Sequence, residues 1–462
     1  MNIREKIGQN LDLYLILFSW PLIAAVTPDI VAALWAVITF FALLKAGDRT
    51  KVVIALMAIL LMSDSRSRLL SFAATAKIGV VVLLFLHVLK NFATYRTSYA
   101  KIYLYFLPFM VYALLTNLWA NDPVTSLQKS MSYVMVMFAV PLYFVKALED
   151  NQLLVVDIFV YMIVVLSIGF VLYVLSPDFV LLMDRYRGLL GNPNGLGMFV
   201  VVTGLLAYVL YQNGEKTTSL KMLFVMVLVL SLASIALTRS RTSLFVLLMF
   251  LLFSRLRYFT NIASLVVFVM IVVGYELLLA QIPVIAVSLG LEEYLRLETL
   301  ETGSGRQIAW DYALIQIENV YFSGGGFGYT EFLYKRDYHE LSMLGHQGNA
   351  HNSYLTLWLD TGLIGLSLFA LGMIRTVFVA ARRSSWALPY FFPIIFTSYY
   401  ESWLAASLNP FTSVFLMSLC FMLKPDKPVN EVREDLEPET RNGVEVQNSS
   451  VPIIPKAPRN LG

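Results

Sequence analysis

His351 stands where a long hydrophilic stretch gives way to an apolar run, in the order Ala350-His351-Asn352-Ser353-Tyr354-Leu355. The polar segment 282–350 precedes it, and an apolar run containing Gly362 and Gly365 follows. An imidazole takes up and releases a proton near neutral pH, and a positioned general base contributes roughly 10² to 10⁴ in rate. The residue reads equally well as the polar start of a helix, with Asn352 or Ser353 as the cap. As chemistry, it offers a proton acceptor where a hydrophilic loop meets an apolar phase. Three of the four histidines (His339, His346 and His351) fall close together. Their spacing matches no helical ligand pair and no cysteine joins them, so a metal site is not expected. His87, inside an apolar run, reads as a packed core residue.

Arginines form the second group. Arg185-Tyr186-Arg187-Gly188 leads into Gly191-Asn192-Pro193-Asn194-Gly195, Arg239-Ser240-Arg241-Thr242-Ser243 joins two apolar runs, and Arg306 follows Gly303-Ser304-Gly305. Guanidinium groups hold phosphate through fixed planar donors. Three such places suit a pyrophosphate better than a carboxylate, although Arg306 also reads as a solvated surface charge. Gly324-Gly325-Gly326-Phe327-Gly328 has backbone amides of the kind that cradle phosphate. It lacks the Lys-Ser/Thr of a nucleotide loop, and a flexible turn is the simpler reading. No Asp-X-Asp pair occurs to hold a divalent cation. Trp310, Tyr329, Tyr334 and Tyr338 are candidate stacking platforms for sugars, with ordinary packing as the alternative.

These residues must be positioned by apolar helices. The 462 residues are 58% hydrophobic and only 14% charged, against about 25% charged in soluble domains, and mean hydropathy is +0.70. Each crossing of a bilayer takes about 20 residues. Candidate spans fall at 11–27, 30–46, 51–63, 70–89, 101–118, 131–147, 153–176, 193–212, 219–238, 242–255, 259–281, 352–374, 386–403 and 407–423. The expected fold is an all-α polytopic membrane protein of 12–14 transmembrane helices, with one large extracytoplasmic loop near the C-terminal third. The expected organisation is N-terminal spans over 1–281, a loop with an amphipathic helix over 282–350, C-terminal spans over 351–424, and a disordered cytoplasmic tail over 425–462. The first apolar run reads as an uncleaved helix rather than a cleaved leader.

Lysine and arginine in short loops mark the cytoplasmic side. Strict alternation puts Lys45/Arg49/Lys51, Lys90/Arg96/Lys101, Lys216/Lys221, Arg255/Arg257 and Arg375/Arg382/Arg383 inside, together with both termini. Arg66/Arg68, Arg185/Arg187 and Arg239/Arg241 then fall outside, either snorkelling to headgroups or sharing an anionic ligand. A net charge of +3 gives no reason to expect nucleic acid. One cysteine, Cys420, excludes an internal disulfide.

Taken together, the motifs resemble the bacterial O-antigen ligases and the Wzy-type O-antigen and exopolysaccharide polymerases. His351-Asn352 with Gly362 and Gly365 has the family register. Ser240-Arg241-Thr242, Gly303-Ser304-Gly305-Arg306 through Trp310, and Arg187-Gly188 to Asn194 complete the likeness, which covers about 180–375. The resemblance implies a glycosyltransferase in the bacterial inner membrane, with its site on the extracytoplasmic face. It implies an undecaprenyl-pyrophosphate-linked glycan donor within the membrane lipid, and an acceptor that is lipid A core or a second lipid-linked glycan. In that reading His351 acts in transfer and Arg187, Arg241 and Arg306 bind the pyrophosphate. Asn352, Ser240, Gly303, Gly305, Gly362 and Gly365 support the motifs, and neither metal nor cofactor is required. The rival expectation is a transporter or flippase for a polar lipid-linked substrate. Charges gathered at one face and the lack of internal repeats count against it.

Overall fold

The computed structural model describes residues 8–96, 101–151, 153–214, 216–290, 306–346 and 348–424. The tail 425–462, and with it the expected disordered segment, lies outside the described residues, as do Gly303 and Gly305. The helices are α1 (Leu11–Val26), α2 (Asp29–Ala46), α3 (Arg49–Asp64), α4 (Phe72–Lys90), α5 (Ile102–Leu115), α6 (Pro123–Asp150), α7 (Leu154–Leu175), α8 (Pro193–Asn213), α9 (Thr218–Thr238) and α10 (Arg241–Arg255). They continue with α11 (Asn261–Leu289), α12 (Arg306–Asn319), α13 (Tyr329–Arg336), α14 (Tyr338–Met343), α15 (Ser353–Ala381), α16 (Ala387–Tyr400) and α17 (Pro410–Met422). Each candidate span read from the sequence coincides with one of these helices. Only Leu181–Leu182 and Arg185–Tyr186 form strands among the described residues, paired as a short antiparallel hairpin.

The chain is an all-α polytopic membrane protein. Seven helical segments among the described residues are long and apolar enough to cross a membrane, including α2, α6 to α9 and α15. Leu22, Ile38, Leu86, Val174, Val229 and Leu371 stand exposed around the bundle, a surface that suits hydrocarbon rather than water. The short α3 is different: every residue from Val52 to Leu61 is buried. A helix that is apolar all round belongs at the centre of a bundle, and the neighbouring helices encase this one.

Helix starts follow from local chemistry. Asp122-Pro123, Asn192-Pro193 and Asn409-Pro410 each place an acceptor side chain at the cap and proline at the first helical position. There the missing N–H costs nothing. Polar contacts then sort the connections into two ends. At one end Lys51 donates to Asp12 at 2.7 Å, Asn10 to Asp157 at 2.6 Å, and Arg383 to the Leu423 carbonyl at 2.9 Å. At the other, Ser71 donates to Asp29 at 2.6 Å, the Gly191 amide to Asp64 at 3.2 Å, and Arg306 to Glu401 at 2.7 Å. The second end carries the candidate site.

The helix α15 is broken at Gly362, whose φ of 66° and ψ of −178° interrupt the helical turn. The segment 321–328 is spliced into this break. Leu363 N donates to Tyr321 O at 2.8 Å, Gly325 N to Leu359 O at 2.9 Å, and Gly326 N to Asp360 O at 3.1 Å. The Asp360 carboxylate accepts from Gly328 N at 2.8 Å and from Thr330 N at 2.7 Å. Gly365 and Gly372 then let α5 approach α15 closely, since a Cβ at Gly372 would meet Phe106 and the Tyr105 carbonyl. Small residues serve the same purpose in other membrane helix pairs.

Candidate functional site

His351 is built by its neighbours. Asn352 caps α15, accepting from Tyr354 N at 2.9 Å and Leu355 N at 3.1 Å, so one of the expected capping roles is real and His351 lies just outside the helix. Its φ is +45°, a left-handed conformation that costs a non-glycine residue roughly 1–3 kcal/mol and persists only where surrounding bonds fix it. They do so here: His351 N donates to Asn349 Oδ1 at 2.8 Å, Asn352 N to Ser402 Oγ at 3.0 Å, and Ser353 Oγ to the Glu401 carbonyl at 2.6 Å.

The partner of the imidazole is Glu401, in the break that follows α16. Its Oε2 lies 3.3 Å from His351 Nδ1, and its Oε1 accepts from Arg306 at 2.7 Å and from Asn194 Nδ2 at 3.1 Å. The side chain is only 14% exposed. Burial pushes its pKa up, but the charge of Arg306 and the bond and charge of His351 outweigh burial and hold the carboxyl at about 2. An ionised carboxylate can only accept, so Nδ1 carries the proton of the neutral ring and Nε2 keeps the lone pair. A carboxylate facing one ring nitrogen in this way leaves the other nitrogen able to accept a proton.

The arginines arrive from three segments. Asn194, the second asparagine of the Asn-Pro-Asn turn, accepts from Arg185 at 3.0 Å while donating to Glu401. Arg185 also donates to the Thr238 carbonyl at 2.9 Å, three residues before Arg241, the first residue of α10. Ser240 caps that helix through Ser243 N, and Gly197 lets α8 lie against Ser240 and Ser243, where a Cβ would not fit. Arg187 sits apart from the Glu401 cluster. It donates to the Phe179 carbonyl at 3.1 Å, and its Nε is buried without a hydrogen-bond partner. Burial, and then the charge of Arg66, lower its pKa.

Arg306 is thus held by Glu401 and is no loosely solvated charge, and Arg185 rather than Arg187 joins the histidine network. Glu401 is not among the residues singled out from the sequence, where Asn194 stands only as the end of the Arg187–Asn194 motif. The signal for Glu401 was present, because it is the only charged residue between Arg383 and Lys424, and an isolated ionisable group in an apolar stretch is a functional candidate.

Other candidates fall elsewhere. The amides of Gly324, Gly325, Gly326, Phe327 and Gly328 all have protein acceptors, so this turn presents no free cradle for phosphate and is packed rather than flexible. Tyr334 is 2% exposed with its hydroxyl on the Ala309 carbonyl, and Tyr329 is buried. Trp310 packs edge-on against Tyr399, while Tyr338 is exposed. His346 is 2% exposed, with its ring centroid 5.9 Å from that of His351. His339 is exposed, and His87 bonds Tyr95 within the bundle. No group of three His, Cys, Asp or Glu side chains that could hold a metal occurs among the described residues.

A bundle of apolar helices with arginines, a histidine and a carboxylate gathered at one end defines a polytopic membrane protein with a polar site at its edge. Residues 226–370 match the family model described as O-antigen ligase, and over that stretch, about a third of its length, the chain is similar to that family. No curated protein matches the chain. The matched stretch contains Arg241, Arg306, His351, Gly362 and Gly365, whereas Arg185, Asn194 and Glu401 come from flanking segments.

Proposed function

We propose that the protein is a membrane glycosyltransferase. It moves a glycan from an undecaprenyl-pyrophosphate donor to a hydroxyl of lipid A core or of a second lipid-linked glycan. The observation that carries this reading is Glu401 bridging His351 and Arg306 within one cluster. His351 Nε2 takes the proton of the acceptor hydroxyl while that oxygen attacks the anomeric carbon. The bond from that carbon to the pyrophosphate oxygen breaks, and its electron pair leaves with the pyrophosphate. Arg187, Arg241 and Arg306 bind the departing anion, a stabilisation concentrated in the transition state. Pyrophosphate leaves readily, so a single displacement needs neither a covalent carboxylate nor a cation.

Charge placement supports an orientation in the bacterial inner membrane. The end opposite the site carries Lys45, Arg49, Lys51, Lys90, Arg382 and Arg383, as expected of a cytoplasmic side. The site would then face the extracytoplasmic compartment, with both termini inside.

The test is transfer by the purified full-length protein in lipid nanodiscs, supplied with a lipid-pyrophosphate glycan and a hydroxyl acceptor. Wild type should release lipid pyrophosphate and form the new glycosidic bond, and His351→Ala should abolish both while inserting normally. Full activity in that variant would overturn the mechanism.

A further inference from the structure

A second polar cavity lies beside the histidine and takes no part in the arginine cluster. Its volume is about 370 Å³, and its walls come from the end of α3, from α4, from the first turns of α6, from the 327–331 strap, from α15 and from residues 402–409. Ligand pockets begin near 300 Å³, so the space is large enough for a sugar. None of the arginines of the candidate site lines it.

The cavity reaches the histidine through two side chains. Asn349 and Ser402 belong to its wall. Asn349 Oδ1 accepts from His351 N at 2.8 Å and from Ser402 Oγ at 3.3 Å. The consecutive residues Glu401 and Ser402 therefore separate two environments: the Glu401 side chain belongs to the arginines and the imidazole, and the Ser402 hydroxyl belongs to the cavity.

The cavity wall carries two ammonium groups, Lys77 and Lys129, against three carboxylates, Asp64, Glu331 and Asp360. Lys129 is ion-paired with Glu331, and Lys77, whose Nζ donates to the Leu408 carbonyl at 3.1 Å, shares the wall with Asp64 and Asp360. Ammonium groups outnumbered by carboxylates, with Gln128 and serine hydroxyls in the same wall, suit neutral hydroxyls that both donate and accept. They do not suit a pyrophosphate, which the excess of carboxylates repels.

From this we infer that the cavity is the subsite for the saccharide bearing the acceptor hydroxyl. The inference rests on the transfer reading above. In a single displacement the nucleophile approaches from the side opposite the leaving group. A polar, hydroxyl-lined pocket one hydrogen bond from the His351 backbone amide and without the arginines suits that placement.

The test uses the full-length protein in nanodiscs with inorganic pyrophosphate and, as saccharide probes, the repeat-unit and core oligosaccharides released by mild acid from the producing strain's surface glycan. Binding of each is measured by saturation-transfer NMR and titration, with Gln128→Ala and Lys129→Met as cavity variants. Both should weaken oligosaccharide binding at least tenfold and leave pyrophosphate binding unchanged, whereas Arg187→Ala should do the reverse. In the transfer assay the cavity variants should raise KM for the acceptor and not for the donor. Retained pyrophosphate binding shows that a variant is folded. Absence of oligosaccharide binding to wild type, unchanged binding in both cavity variants, or a rise in donor KM alone would overturn the subsite. Loss of the pyrophosphate response to arginine substitution would instead overturn the transfer reading.

Discussion

Glu401 Oε2 meets His351 Nδ1 at 3.3 Å across 50 residues of sequence, and the same carboxylate holds Arg306. One acidic side chain therefore fixes both the proton acceptor and one of the cations. It decides which ring nitrogen is protonated, because an ionised carboxylate facing Nδ1 leaves Nε2 as the base.

Glu401→Gln keeps the shape and removes the charge. Loss of an orienting partner beside a histidine costs roughly 10- to 100-fold, so kcat for transfer should fall by that range. KM for a lipid-pyrophosphate donor should change less. Steady-state kinetics on nanodisc-reconstituted protein would show the split; an unchanged kcat means Glu401 does not orient the base.

The depressed pKa of Glu401 gives a stability test with a defined direction. A carboxyl held at about 2 against an ordinary 4.5 contributes stability that is fully present above about pH 4.5. That contribution is lost as pH falls through about 2. The difference in melting temperature between wild type and Glu401→Gln should thus narrow as pH falls below about 4.5. In Arg306→Ala the strongest influence lowering this pKa is gone, so burial dominates. The acid limb of the transfer profile should then move to higher pH. Profiles that superimpose would show that Arg306 does not set the charge state of Glu401.

Gly362→Ala tests the break in α15. Its φ of 66° is strained for alanine by roughly 1–3 kcal/mol, and a Cβ would overlap the Phe322 carbonyl. We expect a lower melting temperature and poor folding yield. Gly47→Ala, also at positive φ but with open space around it, should suffer only the strain.

Gly348→Ala probes access to the base. A Cβ there would stand 3.3 Å from His351 Nε2, at a backbone φ of +130°. Transfer should drop severalfold or more, with donor binding intact by pyrophosphate titration. Unchanged turnover would mean that Nε2 is not approached past Gly348.

Much of the architecture was legible because the membrane imposes a simple code. A span must be apolar and long, and its ends carry Asx-Pro or serine caps, so fourteen segments could be placed, most within a few residues, while α6, α11 and α15 run seven or eight residues past the bounds read from hydropathy. The Ser240 and Asn352 caps are local features in which each side chain bonds an amide two or three residues ahead. The motif residues His351, Arg241 and Arg306 stood out because polar groups at apolar boundaries are few.

What stayed hidden is what depends on distant segments meeting. The sequence by itself determined the helices, their caps and the reactive side-chain types, since these follow from hydropathy and short-range hydrogen bonding. Only the tertiary structure decided that Glu401 faces His351, that Asn194 links Arg185 to that pair, and that the glycine turn is consumed by the break at Gly362. It also decided that the short helix from Arg49 to Asp64 is the encased centre of the bundle. Each of these depends on which helix ends are brought side by side, and periodicity along one helix carries no information about its neighbours.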